Sequence, residues 1–332
     1  MRTKLPTFIF VLVLVTLGVY QAVREMYAPY WEDLAELSFG VLSGTSQWLA
    51  FQNRLLGPVL VVLLKLTGIS NITALKLFVL LVLLIQNFLL FYLFIFSKTS
   101  KKEGLSAVLI FSLMFLFIQE YRLYVWDFVD ILIFTLFAWG IFNKKSLRYF
   151  LPLFLISIFN RESALFISLY IAIDSFDNET LFRKNFKLRS KKQFILGVLF
   201  TIIGLLIIVS IRNLSILDQP NNFTGKWQDW FGNHFHLSKN LYALFIGNFL
   251  DFHILNSTFL LGSLAYVVSF ITRQWKAVLI YIVMLTNILI FGIVNETRLY
   301  AILLPFLVFF IHQPGNLLSN EPSIEGNSGM LE

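Results

Sequence analysis

Four short polar clusters interrupt a chain that is otherwise rich in apolar residues. They are Glu32-Asp33 with Glu36, Asp127 with Asp130, Arg161-Glu162, and Glu296 with Arg298. A positioned carboxylate can take a proton from a hydroxyl group. A guanidinium group presents a planar fork of donors that fits phosphate. These residue types therefore suggest proton transfer beside a bound phosphate.

The first cluster follows the first apolar run of the chain. Glu32, Asp33 and Glu36 lie within one helical turn, so two of the carboxylates can share a helix face. Such a pair could act as general base on an acceptor hydroxyl. An acidic surface helix that solvates an outer loop explains the same residues. We take Glu32 and Asp33 as candidate catalytic acids and keep both interpretations open.

The second cluster stands at the start of an apolar run. Asp127 and Asp130 are three residues apart, so they can share a helix face, with Asp130 one turn farther into the membrane. A carboxylate at that depth needs a partner or a water-filled cavity. Both aspartates are candidate catalytic residues, and the alternative is a helix cap at Asp127 with a structural pairing of Asp130.

The third and fourth clusters supply arginines. Arg161 and Glu162 form a polar island inside the apolar run 148–173, and Glu296 and Arg298 stand between the last two runs. The arginines could bind phosphate while the glutamates orient them or accept sugar hydroxyls. A structural ion pair at Arg161, or an arginine that extends its side chain to the membrane surface at 298, remains the alternative.

Metal chemistry has weaker support in the sequence. Cysteine is absent, which excludes thiolate sites and cysteine nucleophiles. His234, His236 and His253 could join Asp229 or Asp251, but their spacing does not define a zinc site. We predict no metal site and no cofactor, with a divalent metal left as the open alternative.

The composition of the chain predicts a membrane protein. Of 332 residues, 58% are hydrophobic and only 14% are charged, and the mean hydropathy is +0.76. Repeated apolar runs of spanning length predict an all-α fold, a polytopic transmembrane helix bundle of about 9 to 11 membrane helices. The net charge of +7 comes from short basic loops between the runs, so we read it as a topology signal and predict no nucleic-acid partner.

The basic loops also predict the orientation. They all fall on the cytoplasmic side if residues 54–68 form a juxtamembrane surface helix and the run 148–173 breaks into two short helices at its polar island. Residues 1–312 would then form one transmembrane domain with a cytoplasmic N-terminus, exoplasmic loops at 24–76 and 212–251, and the polar clusters on the exoplasmic face. The tail 313–332 is predicted to be a disordered cytoplasmic segment.

Taken together, these features resemble the GT-C glycosyltransferases, integral membrane enzymes that use polyprenyl-phosphate sugars. The resemblance is to the bacterial branch with protein O-mannosyltransferase-like and aminoarabinose transferase-like members. It covers most of the chain. The features that carry it are the Glu32-Asp33 loop, Arg54 with Pro58 and Gly68 in a short helix, Asp127 or Asp130, the Arg161-Glu162 island and the Glu296/Arg298 pair.

The resemblance implies a function and a set of roles. A sugar would pass from a polyprenyl-phosphate donor to a glycan, lipid or protein acceptor on the outer face of a bacterial cytoplasmic membrane. Glu32 or Asp33 would be the first-loop acid and Asp127 or Asp130 the second. Arg161 and Arg298 would bind the lipid phosphate, and Arg54, Glu162 and Glu296 would belong to the same substrate site. A transporter or flippase, a polysaccharide polymerase and a non-catalytic assembly subunit are the alternatives.

Overall fold

A computed structural model describes residues 4–43, 51, 53–97, 100–120, 122–177, 187–215, 235–245, 261–294 and 296–312. The described part of the chain is helical and contains no β-strand, apart from an isolated bridge between Phe176 and Leu188. The predicted all-α class is therefore confirmed. The predicted tail 313–332, most of the predicted loop 212–251, and His234, His253, Asp229 and Asp251 lie outside the described residues.

Twelve helices are labelled here in chain order within the described ranges. They are α1 (Lys4–Met26), α2 (Trp31–Ser43), α3 (Leu56–Lys65), α4 (Asn71–Phe96), α5 (Lys101–Phe117), α6 (Val125–Phe142), α7 (Leu147–Ser157), α8 (Leu165–Asp174), α9 (Lys191–Ser215), α10 (Leu237–Phe245), α11 (Ile271–Phe291) and α12 (Leu304–His312). Residues 261–268 are also helical. Short 3-10 segments lie at Ala28–Tyr30, Ile118–Glu120, Glu162–Ala164 and Thr297–Leu303.

Five helices in the described ranges are long and apolar enough to cross a membrane. They are Leu5–Met26, Asn71–Phe96, Val125–Phe142, Lys191–Ile211 and Ile271–Phe291. Their length and composition support a bilayer environment. Shorter apolar helices complete the bundle, so the figure of 9 to 11 membrane helices stays a prediction.

One end of the bundle gathers the ends of α1 and α5 and the start of α6. The Tyr27 hydroxyl donates to Gln119 Oε1 at 2.7 Å, and the Leu123 amide donates to the Tyr27 oxygen at 2.7 Å. Thr297 Oγ1 donates to the Ile118 carbonyl at 2.9 Å, which brings the segment before α12 to the same place. We call this region the site end.

The opposite end carries basic residues. Lys145 lies 4.4 Å from the Trp139 ring near the end of α6, and Lys276 Nζ donates to Asp174 Oδ1 at 2.7 Å, which joins α11 to the end of α8. Arg189 lies 3.9 Å from the same aspartate. Basic residues thus lie at the end opposite the site end, in agreement with the basic loops from which the orientation was predicted. The orientation itself stays a prediction.

An aromatic layer fills the bundle between the two ends. The Phe137 ring lies 6.0 Å from Phe150, 5.6 Å from Tyr170 and 5.7 Å from Phe306, each in an edge-to-face arrangement. Such geometry is favoured between aromatic rings and adds to the burial of their area. Four helix segments are thereby fixed around one apolar centre.

The apolar run 148–173 is broken at its polar island. At the start of α7, the Tyr149 hydroxyl donates to the Leu136 carbonyl in the second half of α6. Just after α7, Asn160 donates to the Trp126 carbonyl at the start of α6. Helix α7 therefore runs antiparallel to α6, and α8 returns after the break. The predicted interruption is confirmed, and the tip between α7 and α8 lies at the site end.

Helix α3 also starts at this tip. The amides of Leu55 and Leu56 both donate to the Phe159 carbonyl, at 2.8 and 3.0 Å. Gly57 packs so closely on α6 that a Cβ atom there would lie 2.9 Å from the Trp126 backbone nitrogen. Ten residues of helix span only about 15 Å, roughly half of a bilayer core. The length agrees with the predicted juxtamembrane helix.

Candidate functional site

Asp127 is fixed by the first turn of α6. Its Oδ2 atom accepts a hydrogen bond from the Tyr124 amide at 2.9 Å, so the carboxylate satisfies a backbone donor that a helix start leaves unpaired. The partial positive charge of the helix N-terminus also favours an acid at this position. The side chain of Asp127 is fully buried. The alternative that Asp127 is the N-cap residue is therefore wrong in position: the N-cap is Tyr124, and Asp127 binds its amide from the third residue of the helix.

Two arginines from distant segments meet at Asp127. Arg161 Nη1 donates to Asp127 Oδ1 at 2.6 Å, and Arg298 Nη1 donates to Asp127 Oδ2 at 3.4 Å. Arg298 also donates through Nη2 to Glu296 Oε2 at 3.1 Å. The side chains of both arginines are more than four-fifths buried. Buried charges need such pairing, and the carboxylate holds both guanidinium groups in place.

Asp130 binds the tip between α7 and α8. Its Oδ1 atom accepts from Asn160 Nδ2 at 2.7 Å, and its Oδ2 atom accepts from Ser163 Oγ at 2.9 Å. Arg161 Nη1 is 3.8 Å from the same Oδ2 atom. Asp130 has no exposed surface. These partners account for a carboxylate one turn inside a membrane helix.

Three aromatic rings support the arginines. The rings of Phe51, Tyr124 and Trp126 lie 4.9 to 5.5 Å apart. The Arg54 guanidinium carbon is 4.8 Å from the Phe51 ring and 5.0 Å from the Trp126 ring, and that of Arg298 is 4.4 Å from Tyr124. Cation–π contacts of this kind are strongest where water is excluded. Sequence reasoning did not assign a role to these rings.

Arg54 is buried and points to Glu162. Its Nη2 atom lies 3.8 Å from Glu162 Oε2. Burial lowers the pKa of Arg54 to about 10, and the negative charge of Glu162 opposes that decrease. The side chain is therefore still charged at neutral pH. Within the described part of the chain, Arg54 Nε is buried without a hydrogen-bond partner.

A cavity of about 260 Å³ opens beside Arg161. Its polar lining is Arg161, Glu162, Ser163 and Asn287, and its apolar lining is Leu165, Phe166, Ile288, Phe291, Leu299 and Ile302, with Gly292. One charged wall and several apolar walls suit a group that carries an anion beside a hydrocarbon chain. The adjacent carboxylate of Glu162, which is 30% exposed, could accept a proton or a hydroxyl hydrogen bond there.

The first-loop acids lie at the same end but outside this cavity. Asp33 Oδ2 is 3.9 Å from Arg122 Nη1, and these side chains are 69% and 40% exposed. The Arg122 guanidinium lies 3.6 Å from the Tyr30 ring. Glu32 and Glu36 line a larger cavity of about 840 Å³ beside α3 and the start of α4. The two cavities share no lining residue. The structure therefore gathers seven of the nine predicted site residues and leaves Glu32 and Asp33 apart.

Metal ligands are not gathered in the described part of the chain. No group of three or more histidine, aspartate or glutamate side chains there could hold a metal ion. The carboxylates of Asp127, Asp130, Glu162 and Glu296 each lie within 4 Å of an arginine side chain. Metal independence stays a prediction, because several candidate ligands fall outside the described ranges.

Comparison with protein-family models, with curated proteins and with solved structures finds no match for this chain.

Proposed function

We propose that this chain is a membrane glycosyltransferase that transfers a sugar from a polyprenyl-phosphate donor to an acceptor on the exoplasmic face of a bacterial cytoplasmic membrane. One observation carries the proposal. Arg161 and Glu162 line the same cavity, and the buried carboxylates of Asp127 and Asp130 hold Arg161 in position. The GT-C resemblance of the sequence points to the same reaction class.

Arg161 has donors to spare for a phosphate. Within the described ranges, both of its carboxylate contacts use Nη1, so the donors on Nε and Nη2 remain for an acceptor. Arg298 shares the Asp127 carboxylate and adds a second positive charge close by. Charge-assisted hydrogen bonds to phosphate are strong, and they gain strength in a site that excludes water. The apolar lining of the cavity would accept the first part of a polyprenyl chain.

Asp127 and Asp130 suit positioning better than proton transfer. Both side chains are fully buried, and their oxygens are occupied by arginine, amide, hydroxyl and backbone donors. Glu162 is the carboxylate with surface in the cavity, and Arg54 orients it. We therefore assign the proton acceptor to Glu162 and the placing of the arginines to the two aspartates.

The transfer is a single displacement at the anomeric carbon of the sugar. The acceptor oxygen attacks this carbon, and its proton passes to the Glu162 carboxylate. A bond from the acceptor oxygen to the anomeric carbon forms as the bond to the phosphate oxygen breaks. Polyprenyl phosphate leaves as an anion, and Arg161 stabilises the charge that develops on it. No separate general acid is required, because the phosphate is already a good leaving group.

Glu32 and Asp33 would act on the acceptor side. The larger cavity beside them combines the carboxylates of Glu32 and Glu36 with Ser70 and Asn71, a lining that can bind hydroxyl groups. Arg122 connects Asp33 to the segment that carries Tyr124, on whose ring Arg298 lies. The predicted catalytic role of Glu32 and Asp33 stays a hypothesis, and substitution of Asp33 tests it.

A transporter fits this arrangement less well. A transport path for a charged substrate would require charged groups between the two ends of the bundle, whereas buried polar side chains described there, such as Gln86 and Thr135, are neutral and hydrogen-bonded to each other. The charged cluster at the site end and the Asp174/Lys276 pair at the other end are instead separated by the aromatic layer around Phe137. The charged groups thus favour a site that is open at one end.

The test is sugar transfer by the purified protein in nanodiscs, with radiolabelled polyprenyl-phosphate sugars as donors. Wild-type protein should release polyprenyl phosphate and label an acceptor. Arg161→Ala and Glu162→Gln should abolish most of the transfer. Arg24→Ala and Glu25→Gln are matched controls, because these residues form an exposed ion pair at the same end. Equal transfer by all four variants, or none by the wild type with any donor in the panel, would refute the proposal.

A further inference from the structure

Helix α10 is tied to the end of α11 by the side chain of Asn240. Its Nδ2 atom donates to the carbonyls of Leu289 and Gly292 at 2.7 and 2.8 Å, and its Oδ1 atom accepts from the Val294 amide at 2.9 Å. These bonds satisfy backbone groups that the end of α11 leaves unpaired. Because α11 is long and apolar enough to span, its end marks the level where hydrocarbon meets headgroups. Helix α10 lies at that level.

The outer face of α10 is apolar. Leu241, Tyr242 and Phe245 are 42%, 62% and 77% exposed, while Asn240 is buried on the opposite side. At 100° per residue, the three exposed side chains occupy one arc of about 100°, and Lys239 falls about 60° beyond it, on the side of Tyr242. A short helix with an aromatic face and a basic residue beside it is typical of the membrane interface.

The apolar face of α10 continues onto α11. The His236 amide donates to the Ile290 carbonyl at 2.8 Å, which joins the residue after Phe235 to the residue before Phe291. Both phenylalanines are more than half exposed. Large contiguous apolar patches on a protein surface mark contacts with protein or membrane. Since this patch continues a helix that is itself suited to lipid, its occupant is lipid.

We infer that α10 is an interfacial helix that lies in the boundary between the headgroups and acyl chains of the bilayer. Leu241, Tyr242 and Phe245 insert among the acyl chains, and Lys239 reaches the lipid phosphates. This inference is independent of the proposed sugar transfer. Asn287 and Phe291 on α11 line the cavity beside Arg161, so α10 holds the opening of that cavity at the depth of the headgroups.

The natural absence of cysteine makes the test direct. Phe245→Cys and Lys239→Cys are each labelled with an environment-sensitive fluorophore in the full-length protein, reconstituted in phosphatidylcholine and phosphatidylglycerol nanodiscs. Lipids brominated near the top of the acyl chain serve as quenchers. The label at 245 should emit at shorter wavelength and be quenched at least about twofold more than the label at 239, because only the former lies among acyl chains.

Equal quenching at the two positions, or emission at 245 typical of water, would overturn the inference. A shift of emission without quenching by brominated lipid would also overturn it, because it would mean that protein covers the face. If the Phe245 variant fails to fold, Tyr242→Cys provides the same measurement on the same face. Lys239 lies on the same helix as Phe245, so local unfolding of α10 would change the emission and the quenching of both labels equally.

Discussion

A single carboxylate links segments that are far apart in the sequence. Asp127 caps the first turn of α6 and pairs with Arg161 and Arg298, each of which follows a break between helices. An unpaired carboxylate or guanidinium group inside a membrane protein is costly, so each of the three groups depends on the others. The need to pair these buried charges therefore explains both the polar site and the contact between the three chain segments.

Loss of the Asp127 charge should destabilise the protein far more than loss of an exposed charge. Asp127→Asn removes the nearest carboxylate of Arg161 and one of the two carboxylates beside Arg298, while Asp130 and Glu296 remain. Because both guanidinium groups are buried, the change should lower the free energy of unfolding by about 3 kcal/mol. Asp33→Asn is the control, because Asp33 pairs with Arg122 in an exposed position, where such pairs contribute about 0–1 kcal/mol. Unfolding in denaturant, followed by circular dichroism in detergent, measures both. Equal losses for the two variants would contradict this account.

Glu162 and Asp33 should differ in their effect on catalysis. Glu162→Gln should lower kcat by about 10²-fold or more, because a general base contributes about 10²–10⁴ to the rate. Its KM for the donor should change little, since Arg161 still binds the phosphate. Asp33→Asn should lower kcat less than tenfold. A larger effect at Asp33 would restore the first-loop acid as the base and overturn the assignment to Glu162.

The charged residues of the site were easier to predict from the sequence than the residues that hold them in position. Asp130 and Arg161 stood out because charges inside apolar runs require a reason. The pairing of Arg161 with Asp127 could not be deduced, since it depends on how α6 and the tip after α7 pack. Asn160 belongs to the predicted polar island, but neither its bond to Asp130 nor the contact of the Phe51 ring with Arg54 follows from the sequence, because amides and aromatic rings occur throughout such chains. Their roles come from tertiary contacts alone.

A helix break and a short helix followed from local patterns, but the packing of the helices did not. The break at Asn160 was predicted from the cost of two charges at mid-membrane, and α3 was predicted from its short length and the basic loops around it. The close packing of α3 on the start of α6 was not predictable. It depends on Gly57, whose missing side chain lets the two backbones approach.

Replacing Gly57 should displace α3. In Gly57→Ala, the new Cβ atom would lie 2.9 Å from backbone atoms of Val125 and Trp126, which cannot move independently of α6. Overpacking of this kind costs about 1–3 kcal/mol. The shift should also reduce sugar transfer, because Arg54 lies two residues before α3 and orients Glu162. The melting temperature and the transfer rate measure the two effects.

Gly18→Ala is the matched control for that substitution. Gly18 lies inside α1, and nothing lies within 4 Å of the position of its Cβ atom. Alanine in a helix interior is more favourable than glycine by about 0.5–1 kcal/mol, so the melting temperature should stay the same or rise. If Gly57→Ala were as stable and as active as Gly18→Ala, the contact between α3 and α6 would not position the site.

One end of the bundle holds the candidate site, and the opposite end carries basic residues. This division predicts a single orientation in the membrane, with the site end outside. Thr67 follows α3 at the site end, and Lys192 lies at the start of α9 at the basic end, and both side chains are exposed. In intact cells, a membrane-impermeant maleimide should label Thr67→Cys, and it should label Lys192→Cys only after permeabilisation. The reverse pattern would place the site on the cytoplasmic face.

The most direct measurement is the binding of polyprenyl phosphate, without a sugar, to the purified protein by native mass spectrometry. Wild-type protein and Arg24→Ala should bind it equally, because Arg24 forms only an exposed ion pair. Arg161→Ala should bind about tenfold or more weakly, since a hydrogen bond to a charged group contributes about 1.5–3 kcal/mol. Arg161→Lys should also bind more weakly, because lysine lacks the planar fork. Equal binding by the wild type and both Arg161 variants would contradict the claim that the clustered charges form a lipid-phosphate site.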